Sequence, residues 1–217
     1  MIGAWLWRWP PGLAFAALRH LTTGIPVHQV EQAEQVRSPE LATGADLQRI
    51  EDGVGPLFHR RYGVRVHVHL REAETVMASF MAAPDSMVPS EVARFEPEGD
   101  HRDLRLGDDL VVRMPGPWNG PVRVVAQTPR SFRLATRRGH LEAGQIEFRA
   151  EDRGTELVFE IESWARSGSW AADLLYDRLQ LSKFMQAYLW VHCCARVCAA
   201  AGGQMVQGVE IYTGREG

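Results

Sequence analysis

Residues 139–170, GHLEAGQIEFRAEDRGTELVFEIESWARSGSW, decide the fold. They hold a Gly-His-x-Glu-x-Gly turn, two alternating runs, and an Asp-Arg-Gly turn between the runs. In the first run Ile146, Phe148 and Ala150 fall on one face, and Gln145, Glu147, Arg149 and Glu151 on the other. In the second, Leu157, Phe159 and Ile161 oppose Glu156, Glu160 and Glu162. A period of two residues marks strands with one buried face, and the glycine turn joins them as an antiparallel hairpin. Arg133 and Arg149 are then placed to pair with the glutamates across strands, with a functional carboxylate pair as the alternative.

Working upstream, DLVVRMP, PVRVVAQ and SFRLATR alternate in the same way and are separated by GPWNG and TPR. The whole is the pattern of an antiparallel meander. Farther upstream, Val64, Val66, Val68 and Leu70 alternate with Arg65, His67 and His69, which predicts another half-buried strand. His67 and His69 share a side, but no third metal ligand accompanies them. Gly53–Phe58, GVGPLF, reads as a turn, since it lacks the lysine and following helix of a phosphate-binding loop. Ala73–Ala83 is helix-compatible and is ended by Pro84.

Downstream, Trp170 to Ala201 runs 32 residues without proline or glycine and stops at Gly202-Gly203. Such a helix is about 48 Å long. Leu174, Leu181, Phe184, Tyr188, Val191, Ala195 and Cys198 form its apolar stripe, which only the sheet is long enough to cover. Gln186 lies off that stripe, as a surface residue would. A last run, MVQGVEIYT, is expected as an edge strand.

Strand, short helices, meander and long C-terminal helix make the order of an α+β helix-grip fold, a curved antiparallel β-sheet wrapped around a long C-terminal α-helix. The turn sharpens this. Gly139, His140, Glu142, Gly144, Glu147 and Phe148, leading directly into the long helix, resemble the pattern of the DUF1990 family of uncharacterised proteins, with Leu141 where proline is common. The resemblance runs from about Tyr62 to Ala201 and is specific from about Leu110. It places the chain within the START-like superfamily, also termed birch-pollen-allergen-like or SRPBCC. What it implies is a cavity between sheet and helix holding apolar ligands, in a superfamily that also contains cyclases, hydrolases and dehydratases.

Composition narrows the function. The 217 residues are 45% hydrophobic, enough for one substantial core. The expected division is an N-terminal Trp-rich arm and polar linker, 1–46, and a helix-grip domain, 47–217. A net charge of −3 gives no basic excess for a phosphate backbone, so no nucleic-acid partner is expected. Lys183 is the sole lysine, and the scattered arginines read as solvated charge. Cys193, Cys194 and Cys198 fall within six residues, which excludes a long-range disulfide framework and predicts a reducing, cytoplasmic setting. They read as buried core residues, with no metal and no cofactor expected. The arm lacks a signal-peptide charge pattern and is broken by Pro10 and Pro11, yet Trp5, Trp7 and Trp9 beside Arg8 suit a peripheral membrane interface, or packing on the domain or a partner chain.

Three functions remain open. A non-catalytic carrier or sensor would bind a small hydrophobic molecule among Trp118, Phe148, Phe159, Ile161, Trp164, Leu181, Phe184 and Tyr188. An acid-base enzyme of cyclase, dehydratase or hydrolase type would use His140 and Glu142 in the same cavity, whereas a bracing His140 would only hold its turn. A membrane-surface or partner-binding module would act through the tryptophan arm.

Overall fold

The computed structural model describes residues 24–31, 42–67, 70–99, 102–114, 119–169 and 181–216, with the side chains of 181–184 outside the description. Trp5, Trp7, Trp9, Trp118, residues 170–180 and the side chains of Leu181 and Phe184 therefore lie outside the described residues.

The alternating runs fold as strands. They are β1 (Val27–Val30), β2 (Val54–His67), β3 (Arg94–Pro97), β4 (Asp109–Arg113), β5 (Asn119–Thr128), β6 (Ser131–Thr136), β7 (Glu142–Arg153), β8 (Glu156–Ser167) and β9 (Gln204–Glu216). They join in one sheet of order β1-β9-β2-β8-β7-β6-β5-β4-β3, antiparallel except where β1 runs parallel to β9 at the edge. The helices are α1 (Ala73–Ala82) and α2 (Leu181–Ala201). Gly202, at φ +70°, ends α2, and the amide of Gly203 reaches back to the carbonyl of Cys198 at 3.5 Å.

Four expectations change. GVGPLF is not a free-standing turn: β2 begins at Val54, and Gly55, at φ +74°, sits where its pairing with β8 shifts register. Leu70, expected on the buried face, is 84% exposed, because β2 ends at His67 and the amide of Leu70 instead bonds Ala201 O. The last run is no edge strand: β9 lies between β1 and β2, and the edge is taken by Val27–Val30 from the segment expected to be arm. Gln186 is half-buried and hydrogen-bonded, not a surface residue.

Both helices lie on one face of the sheet. Val64, Val66, Leu110, Val122, Phe132, Phe148, Phe159 and Ile161 point inward to meet Met77 and Phe80 of α1 and Tyr188, Val191, Cys194 and Val197 of α2. Each large side chain removed from water there contributes about 1.5–3 kcal/mol, which is what holds helix to sheet. Asp152 of β7 accepts the backbone N–H of Ala73 at 3.0 Å, fixing the start of α1 against the same face.

Candidate functional site

The inner face divides along its length, and the registers show where. Tyr62 pairs with Ile161, which pairs with Phe148, making the last level of bulky side chains across β2, β8 and β7. One level on, Arg60 pairs with Ser163 and Ser163 with Ile146; then Phe58 with Ala165 and Ala165 with Gly144; then Ser167 with Glu142. Beyond that level β8 turns to the small Ser163, Ala165 and Ser167 and β7 passes through Ile146 to Gly144 and Glu142, while β2 keeps the large Arg60 and Phe58.

The bulky half is filled from within. Phe148 stacks on Phe132 at 4.7 Å and takes the edges of Phe80 at 5.4 Å and Trp190 at 5.5 Å. Phe159 meets Phe80 at 6.2 Å. Phe148, Phe159, Ile161 and Tyr188 are all fully buried, packed into core with α1. Alternation placed Phe148, Phe159 and Ile161 inward, and the helical stripe did so for Tyr188, but neither carried a sign that α1 would lie on this core. Trp164 is a correction: three residues from Ile161, it faces the opposite side of the sheet and stacks on His59 at 5.2 Å.

The other half carries charge where burial makes charge costly. Arg60 is 6% exposed and Tyr62 is 4% exposed. Burial pushes the Tyr62 phenol up to about 12; Arg60 pulls against that shift, and Glu142 and Cys194 add to it. Tyr62 is therefore a protonated donor with both charges in electrostatic reach. The side-chain amide of Gln186 donates to Glu142 Oε1 at 2.7 Å, tying the start of β7 to α2.

His140 does not join this interior set. Its Nδ1 lies 2.9 Å from the amide nitrogen of Glu142 and 3.1 Å from the carbonyl oxygen. Burial of the ring lowers its pKa, so the neutral form accepts the N–H of Glu142. A Cβ on Gly120 would fall 2.9 Å from His140 Nε2, so the other ring edge closes against β5. Gln48 donates to His140 O at 3.3 Å. This is the geometry of a braced turn. The motif's last glycine is required by contact: at Gly144, φ +155°, a Cβ would fall 2.0 Å from Trp164 O.

On the outer face, cross-strand charges pair as the alternation predicts, but more deeply than solvated charge would. Glu162 is fully buried, 2.8 Å from His59 Nε2 and 2.6 Å from Arg149 Nη1. Arg149 also meets Glu160 at 2.9 Å, and Arg61 meets Glu160 at 3.2 Å. Burial would raise the pKa of Glu162, yet the hydrogen bonds from His59 and Arg149 outweigh it and hold the carboxyl below its usual range. His59 was missed by sequence reasoning, since it lies in the segment read as running from turn to strand. A cavity of about 160 Å³ opens on the same side, between residues 42–51 and Ala135, Gly144 and Gln145.

Cys193 and Cys194 are fully buried, and burial raises both thiol pKa values, so neither is a thiolate nucleophile. Among the described residues no group of three or more His, Cys, Asp or Glu could hold a metal, and no helix is long and apolar enough to cross a membrane.

A family model described as a domain of unknown function (DUF1990) matches residues 56–196. No curated protein matches the chain. Among solved structures, norcoclaurine synthase from Thalictrum flavum is similar at 10% identity and TM-score 0.48, over 78% of this chain and 98% of that one. A hypothetical protein from Helicobacter pylori is similar at 10% identity and TM-score 0.45, over 79% and 99%. The major latex-like protein 151 from Panax ginseng follows at 10% identity and TM-score 0.37, over 59% and 97%. Likenesses this distant say nothing of what the chain binds.

Proposed function

The chain belongs to the DUF1990 family, and from that premise we propose that it binds a small, largely apolar molecule between the sheet and α2, at the end where the sheet's inner side chains become small. The observation that supports this reading is the change on the adjacent strands β8 and β7, from Ile161 and Phe148 to Ser163 and Ala165 and, past Ile146, to Gly144. A core built only for stability fills such positions with hydrocarbon. The bound molecule lies against Ser163 and Ala165, with Ile146 and Met185 as apolar walls and Tyr62 and Gln186 as donors to a polar group. It is carried or sensed and leaves unchanged.

The site thus sits one level farther along the strands than Phe148 and two farther than Phe159. Native mass spectrometry of freshly purified protein tests the reading, together with titration of the neutral fluorophore 1-aminoanthracene. The expected result is saturable binding in the parent and its loss in Ser163→Leu, which fills the space. Equal binding by parent and variant would place the molecule elsewhere and remove the proposal.

One observation favours the acid-base enzyme as a second reading: Tyr62 is held protonated in the interior with Glu142 in electrostatic reach. A protonated phenol can give a proton and a carboxylate can take one. In this version Glu142 and Tyr62 act on the substrate, and His140 only fixes the backbone of Glu142. Tyr62→Phe distinguishes the two readings, since a carrier keeps its ligand affinity within a few-fold, whereas an enzyme loses about 100-fold in turnover.

A further inference from the structure

On the reading just given, that a largely apolar molecule occupies this end of the interior, we propose that its polar group is a carbonyl oxygen, as in a ketone, aldehyde or ester, and that it accepts the hydroxyl of Tyr62. The preferred ligand is then a hydrocarbon body carrying one carbonyl, set beside Ser163 with its oxygen toward β2.

Two tyrosines belong to the described core, and their hydroxyls differ. Tyr188 is fully buried and donates to Glu91 Oε1 at 2.7 Å. Tyr62 is 4% exposed, and among the described residues its hydroxyl has no hydrogen-bond partner. The side chain leaves the inner face of β2 at the level of Ile161 and Phe148. Its phenol is in electrostatic reach of Arg60 on its own strand, Glu142 on β7 and Cys194 on α2. Glu142 lies past Ile146 and Gly144 from that level, so the ring leans along the strands toward Ser163, with its hydroxyl between sheet and helix.

Burial keeps this phenol protonated far above neutral pH, so the group is a donor. An apolar molecule entering beside Ser163 excludes water from that hydroxyl. A buried donor left without an acceptor costs more than an ordinary hydrogen bond returns, so the entering molecule must bring an acceptor to this point. A carbonyl oxygen does so and adds no donor of its own. An alcohol or an amine adds an O–H or N–H that needs a further partner in the same place. The contact fixes the orientation as well: with the oxygen at Tyr62, the hydrocarbon lies along Ser163 and Ala165, against Ile146 and Met185.

The test pairs 2-acetylnaphthalene with 2-ethylnaphthalene, which share a ring system and differ by the carbonyl, in displacement of 1-aminoanthracene from the full chain and from Tyr62→Phe. Comparing parent with variant for each probe cancels the probes' different hydrophobicity. 2-Acetylnaphthalene should bind Tyr62→Phe about fivefold more weakly than the parent, the scale of one neutral hydrogen bond, and 2-ethylnaphthalene should stay within about twofold. The melting temperature of the unliganded protein should not fall in Tyr62→Phe. In the parent, the infrared C=O stretch of bound 2-acetylnaphthalene should lie below its position in hexane, a measurement that needs no variant. Equal changes for the two probes, a melting temperature lowered by more than about 3 °C, which would reveal a partner for the hydroxyl within the chain, or an unshifted C=O stretch overturns the carbonyl contact while leaving apolar binding intact. Failure of 2-acetylnaphthalene to displace a bound fluorophore does the same. Failure of the fluorophore and of both probes to bind the parent removes the reading on which the proposal rests, and the proposal with it.

Discussion

The two halves of the sheet's inner face are made by the same three strands, in register from Phe58 to Val66 of β2, yet they carry different side chains. Toward Val66, Leu157 and Ala150 the face is closed by Phe80, Phe132 and Phe148, ring on ring. Toward Phe58, Ala165 and Glu142 it presents the small side chains of Ser163 and Ala165 and the bare backbone of Gly144, beside Phe58, Ile146, the buried Arg60 and a carboxylate. The difference teaches that a helix laid on a sheet need not be gripped along its whole length. The C-terminal part of α2 is held by hydrocarbon, which stabilises the domain. Nearer its start Gln186 meets the carboxylate of Glu142, polar chemistry that the proposed function puts to use in holding a bound molecule.

The bulky half should dominate stability. Phe148→Ala is expected to cost about 3–5 kcal/mol in denaturant unfolding, the scale for deleting a buried ring whose neighbours cannot collapse. A loss below about 1 kcal/mol would mean the two halves are not energetically distinct. The outer-face charges come next. Arg149→Met leaves Glu162 buried with one partner fewer, and about 3 kcal/mol should be lost. The pH dependence follows from the sign of the shift. With its pKa below the unfolded value of 4.5, Glu162 contributes stability that is complete above that pH and is lost as pH falls through the folded pKa. Glu162→Gln should therefore flatten the decline of melting temperature on acidification, and an unchanged decline would count against the linkage.

The polar half should respond more weakly in stability and more strongly in binding. Gln186→Glu sets a second carboxylate where the amide now donates to Glu142, so a loss of about 1–2 kcal/mol is expected at neutral pH, recovered when the medium is acidified. His140→Ala removes one modest bracing contact and should cost about 1 kcal/mol. 1-Aminoanthracene affinity should hold in that variant, and a collapse of affinity with stability intact would return His140 to the site. Ser163→Leu should move stability least, by about 1 kcal/mol in either direction, and abolish fluorophore binding. A large loss of stability there would show that the small-residue half is packed like the other.

Much of this was legible in the chain itself. Alternation alone assigned Phe148, Phe159 and Ile161 to the inner face and Arg149, Glu160 and Glu162 to the outer, because side chains alternate with a period of two wherever a strand forms. The Gly139–Gly144 motif fixed the entry to β7, since Gly144 leaves no room for a side chain. Strict alternation also contained the placement of Trp164, which its aromatic character obscured. The sequence could not say that α1 would cover Phe148, that His59 would reach Glu162 across 103 residues, or that Gln186 would find Glu142. Those depend on which strands become neighbours and at what register. Local periodicity determines the face a residue takes; only the folded sheet, by bringing β2, β8 and β7 side by side, decides which residues share a level and therefore where the interior is full and where it is not.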